Sequence, residues 1–147
     1  MGLPGVTDST VYEGLRDVLQ RQPEVTTVNY EPDTISKKFL RAKIDPSRIT
    51  PPTGPQSPKL DVEWRYSQGE QYYRIHYADP NTGFNCGWHR DDDHSDLGSI
   101  HFQYEQPEMD NPNHQKANFS KTAPSEILWT VLEQLFEEEI PTRTAQE

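Results

Sequence analysis

Residues 59 to 105 read KLDVEWRYSQGEQYYRIHYADPNTGFNCGWHRDDDHSDLGSIHFQYE, and apolar and polar side chains alternate within them in four consecutive segments. Side chains two apart share one face of a strand, so this period predicts β-structure. In the first segment Leu60, Val62, Trp64 and Tyr66 oppose Asp61, Glu63 and Arg65, and Ser67-Gln-Gly69 makes a turn. The second sets Tyr73, Ile75 and Tyr77 against Tyr72, Arg74 and His76, ahead of the turn residues Asp79 to Gly83. The third alternates Phe84, Cys86 and Trp88 with Asn85, Gly87 and His89. After an acidic loop from Arg90 to Gly98, the fourth alternates Ile100, Phe102 and Tyr104 with His101 and Gln103. Four strands in meander order predict one antiparallel sheet with an apolar and a polar face.

Helical periodicity flanks this sheet. Thr10 and Glu13 have capping-box spacing, and Val11, Leu15, Val18 and Leu19 recur on one face, predicting a helix over about 10 to 21 that Pro23 stops. Val25, Val28 and Tyr30 suit a short strand, and a second is expected from Lys38 to Asp45. The segment PSRITPPTGPQSP, residues 46 to 58, has five prolines and reads as a surface loop. Residues 106 to 121 read as coil. Thr122, Pro124 and Glu126 then open a helix whose stripe is Ile127, Leu128, Val131, Leu132, Leu135 and Phe136, with Pro141 ending it. Trp64, Trp88 and Trp129 are assigned to the core. The expected fold is α+β: an N-terminal helix, an antiparallel meander of four to six strands and a C-terminal helix packed on the sheet, as a single domain over 1–140 with a disordered tail at 141–147.

The 147 residues carry 14 Lys and Arg against 24 Asp and Glu, a net charge of −10, and only 31% of them are hydrophobic. That length suits one domain, and the low apolar fraction limits the core. No run approaches the ~20 apolar residues of a membrane span, and MGLPGVTDST lacks the pattern of a signal peptide, so a soluble cytoplasmic protein is expected. The acidity argues against constitutive duplex binding. Scarce lysine and dispersed acids match halophilic, haloarchaeal cytosolic proteins, and in molar salt a Debye length of ~3 Å would leave local cations free to act.

The polar face carries the functional expectation. It collects Glu63, Arg65, Arg74, His76, Asn85, His89, His101 and Gln103, so an arginine and several imidazoles would share one surface, an anion site in outline. A solvated outer sheet face is the bland alternative. A second cluster, Trp88-His-Arg-Asp-Asp-Asp-His94-Ser-Asp96, holds residue types that suit zinc, manganese or magnesium, yet its spacing matches no strong metal motif. No tightly held ion is therefore expected at His89, His94 and His101, and no cofactor is implied. Cys86, the only cysteine, falls on the apolar face and reads as a core residue. No GxSxG, phosphate-loop or dinucleotide fingerprint is present.

The run Tyr73-Arg-Ile-His-Tyr-Ala-Asp-Pro-Asn-Thr-Gly-Phe-Asn-Cys-Gly-Trp-His-Arg, followed by Asp93-His-Ser-Asp-Leu97, resembles the TumE-like toxins of prokaryotic toxin–antitoxin pairs. The resemblance spans about Leu60 to Leu135. Arg74, His76, Asp79 and Gly83 match the family's strand–turn element, His94 and Leu97 its H-H-x-x-L element, and His101 the start of its histidine-rich strand. The sequence departs from the pattern at Asp93-His94, where paired histidines are usual, and at Ser99 to Gln103, where a histidine-rich run with a lysine is reduced. The resemblance implies a growth-inhibiting protein with a neighbouring antitoxin partner.

If it acts on RNA, a metal-independent cleavage needs a base for the 2′-hydroxyl proton, an acid for the leaving oxygen and a cation against the phosphorane charge. His76 and His101 are the expected acid–base pair and Arg74 the cation, with Asn85, His89, His94 and Gln103 as binding residues. Two competing classes are a non-catalytic interaction or sensor module, which can leave its histidines dispersed on an open sheet, and a metal-dependent nuclease, which needs Asp91 to Asp93 turned inward.

Overall fold

The computed structural model describes residues 3–91 and 100–144. Helix α1 spans Ser9–Gln20, and strands follow as β1 Val25–Glu31, β2 Phe39–Ile44, β3 Lys59–Ser67, β4 Glu70–Ala78, β5 Asn85–Arg90, β6 Ile100–Glu105 and β7 Asn113–Lys116. Helix α2 spans Pro124–Gln134, continues through a π turn at Leu135–Glu139, and ends in α3, Ile140–Thr144. The seven strands pair in chain order, each antiparallel to the next. The architecture is thus the expected α+β meander, with one strand more than the upper bound. The extra strand is β7, Asn-His-Gln-Lys, whose polar composition hides it from any hydrophobic pattern; its place comes from main-chain pairing with β6.

The alternation holds through β3 and β4, whereas β5 and β6 also bury His89 and His101 from the opposite face. Leu60, Val62, Trp64, Tyr73, Ile75, Tyr77, Cys86, Trp88 and Phe102 all lie buried in one cluster with Leu15 and Leu19 of α1 and Leu128, Val131 and Leu132 of α2. Trp64 stacks on Tyr73 at 4.4 Å between centroids, and Trp88 meets Phe102 at 4.7 Å. Tyr12 joins them from α1 and does a second task. Its hydroxyl donates to the Lys38 carbonyl at 2.7 Å and accepts from the Trp64 amide at 3.2 Å. Since Leu40 pairs with Val62, Lys38 and Trp64 flank the next rung, so the phenol bridges the ladder where β2 has ended. Burial raises the Tyr12 hydroxyl pKa to about 12, keeping it a neutral donor.

Four local expectations are corrected. The N-cap of α1 is Asp8, not Thr10: its carboxylate accepts from the amides of Thr10 and Val11 at 2.9 and 3.2 Å. The N-cap of α2 is Ala123 rather than Thr122, with no side-chain bond. Trp129 is 44% exposed, because it falls one position off the Ile127, Leu128, Val131, Leu132 stripe, and its indole donates to Glu133 at 2.7 Å. Pro141 does not end the helix; it sits in the first turn of α3, where its missing N–H is tolerated, and Ile140 beside it is buried. Arg143, which bonds Glu139 at 3.3 Å, then lies over the Tyr104 ring at 3.9 Å. The proposed disordered tail is therefore helical from 141 to 144, and residues 145–147 lie outside the described residues. No helix among the described residues is long and apolar enough to cross a membrane.

Candidate functional site

Antiparallel register aligns the polar face in rungs. One runs Arg41, Asp61, His76, Gly87, Gln103 and His114 across six strands, and the next includes Glu63, Arg74, His89, His101 and Lys116. Arg74 and His76 line a shallow cavity of about 250 Å³ with Phe39, Asp61 and Glu63. Both acids there are already engaged. Asp61 takes two bonds from Arg41, at 2.8 and 3.0 Å, and Glu63 is held by Arg65 at 2.6 Å. Arg74 has no ion pair among the described residues and is exposed, so it is the uncompensated cation of the cavity. Such a charge at the mouth of a concave surface attracts an anion.

His76 is half-buried, and its Nδ1 is buried with no hydrogen-bond partner. Its imidazole is pushed toward the neutral form, first by burial and then by the adjacent Arg74, against an opposing pull from Asp61. A neutral imidazole beside a cation has the character of a general base.

One rung further, on β5 and β6, His89 and His101 come together. Their Nδ1 and Nε2 atoms are 3.1 Å apart and the rings meet edge to face. Both lie inside: His89 is 8% exposed and His101 0%. This corrects the expectation that His101 stands on a substrate-facing surface, because side-chain parity tells which face a residue takes and not what covers that face. Gly87 is what allows the crowding. A Cβ there would stand 3.0 Å from His89 Nε2, 3.0 Å from the Ile75 carbonyl oxygen and 3.2 Å from His76 Nδ1.

The remaining expected residues divide. Gln103 lies in the rung of His76 and Gly87, whereas Asn85 lines a different depression with Lys59, Asp79 and Phe84. His94, with Asp92 and Asp93, lies outside the described residues. Asp79 and Gly83 of the strand–turn element build the turn: the Asp79 carboxylate accepts from Thr53 Oγ1 at 2.5 Å and from the Asn81 amide at 2.8 Å, and Gly83 has a φ of 79°. Cys86 is fully buried, which raises its thiol pKa and leaves it unsuited to nucleophilic attack. Sequence reasoning passed over Phe39, Asp61 and Gly87; a glycine inside an alternating strand was the signal for the last. The chain matches no family model, no curated protein and no solved structure.

Proposed function

We propose that this protein is a TumE-like toxin component that acts on RNA phosphodiesters at the Arg74–His76 cavity, paired with an antitoxin. The observation that carries this reading is the Arg74 guanidinium, without an ion pair among the described residues, beside a half-buried His76 pushed toward its neutral form, in a cavity whose two carboxylates are already engaged by Arg41 and Arg65. Arg74 holds a phosphate at the mouth. His76 takes the proton of the 2′-hydroxyl as its oxygen attacks phosphorus, and the departing 5′-oxygen is protonated by water from the open side. His101 drops out as the acid because it is enclosed. A docking module can leave its histidines dispersed on an open sheet, whereas three of the four described ones, His76, His89 and His101, crowd around Gly87 and the β5–β6 ladder.

Expression without the antitoxin, in the native host and salt, tests the reading. Wild type should arrest growth and cleave RNA, and Arg74→Ala and His76→Ala should each lose both effects while keeping the wild-type melting temperature. Harmless wild type, or variants as toxic as wild type, would overturn it.

A further inference from the structure

Beyond the cavity, the β5–β6 ladder carries a second constellation. His89 and Asp91 stand at the end of β5 and His101 opposite them on β6, with His89 paired to His101 in register. One ligand atom from each lies within 4.8 Å of the others. Sequence spacing matches no strong metal motif here, and His89 and His101 are twelve residues apart in the chain. The sheet register removes that separation.

The geometry points to a binding site for a zinc-class divalent ion held by His89 Nδ1, His101 Nε2 and the Asp91 carboxylate. Two nitrogens each about 2.1 Å from a tetrahedral ion stand about 3.4 Å apart, close to the 3.1 Å between these two. The imidazoles are enclosed, which removes competing water, while Asp91 is only half-buried and can swing its carboxylate onto the ion. Two imidazoles and one carboxylate form a mixed nitrogen and oxygen set that suits zinc, cobalt or iron better than magnesium or calcium, which take oxygen. Three protein ligands leave a fourth position open. The site adjoins the Arg74–His76 cavity, since His89 pairs with Arg74 in register, but the proposed chemistry of that cavity uses neither His89 nor Asp91.

The test is calorimetric titration of the full chain with Zn²⁺ after chelator treatment, repeated with Co²⁺ while following visible absorption. Wild type should bind one Zn²⁺ with submicromolar affinity and give the visible bands of tetrahedral cobalt. His89→Gln and Asp91→Asn should each weaken binding at least 10-fold, and Gln115→Ala on the exposed edge strand β7, kept as the control, should bind as wild type does. Asp91→Asn changes a half-exposed side chain isosterically, so it reports on the site even where a histidine variant unfolds. Failure of wild type to bind at micromolar Zn²⁺ would overturn the site, as would undiminished binding by Asp91→Asn. Neither outcome bears on RNA cleavage by Arg74 and His76.

Discussion

His89 Nδ1 sits 3.1 Å from His101 Nε2 across the β5–β6 ladder, with the two rings 88° apart and the second wholly enclosed. An edge-to-face contact of this kind needs both imidazoles in place. Removing one leaves a hole in the sheet's polar face and a buried ring nitrogen deprived of this partner, a loss of about 1–3 kcal/mol. His101→Ala should therefore lower the urea midpoint clearly. Gln115→Ala on the exposed edge strand β7 should change stability by no more than about 0.5 kcal/mol. Equal midpoints for the two variants would contradict the enclosed pair.

Gly87→Ala should disable the site from beneath. The new methyl would meet the Ile75 carbonyl oxygen at 3.0 Å, a backbone atom of the neighbouring strand that would have to give by a few tenths of an ångström, as well as the His89 and His76 rings. Overpacking of this kind costs about 1–3 kcal/mol. The expected result is a lowered melting temperature together with lost growth inhibition, whereas Gly69→Ala, where a Cβ would meet nothing, should keep the activity despite its left-handed backbone. An active, stable Gly87→Ala would show that the rings do not need this gap.

The contrast between these two glycines bears on how far the sequence could be read. Strands β3 to β6 were legible because Leu60, Ile75, Cys86 and Phe102 each mark a buried face with period two. Strand β7 was not, since none of its four side chains is apolar and an edge strand is held by its main chain. Arg74 and His76 were legible as neighbours on one face. The closeness of His89 and His101, and the neutralising of Asp61 by Arg41, depend on the exact register between neighbouring strands, which alternation alone leaves open.

Two tryptophans separate core from surface. Trp64 is fully buried and stacked on Tyr73, so Trp64→Ala should destabilise by about 3–5 kcal/mol. Trp129 keeps its indole bonded to Glu133 at 2.7 Å on the open side of α2, and its truncation should cost less than about 1 kcal/mol. Chemical denaturation of both variants measures the difference, and comparable losses would place Trp129 in the core after all.

Asp79 should behave as a structural residue despite belonging to the same motif as Arg74. Its buried carboxylate gathers Thr53 and Asn81 and so ties the proline-rich loop to the β4–β5 turn. Asp79→Ala strands those donors and should lose about 1–3 kcal/mol. Its activity should fall in step with its folded fraction and return on cooling below the new melting transition. A fully folded but inactive Asp79→Ala would give that carboxylate a chemical role.

The acid side of the pH profile belongs to His76. Its surroundings are Arg74 on its own strand, Asp61 and Glu63 on β3, and His89 on β5, and the net effect of burial and Arg74 over Asp61 is to lower its pKa in the folded state. The unfolded chain then binds the His76 proton more readily, at the ordinary value near ~6.5. Stability at this residue is thus highest above that value and is lost as pH falls through it toward the lower folded pKa. His76→Gln removes the term, so its stability relative to wild type should rise between pH 7.5 and pH 5.5 (about the range spanning an ordinary imidazole titration). The same shift should appear directly in the NMR titration of the His76 ring, with a midpoint below ~6.5 in wild type. Arg74→Ala should move that midpoint up by removing a like charge, and Asp61→Asn should move it down by removing the opposing one. A midpoint at or above the ordinary value would remove the physical basis for His76 as a neutral base, and with it the proposed chemistry of the cavity.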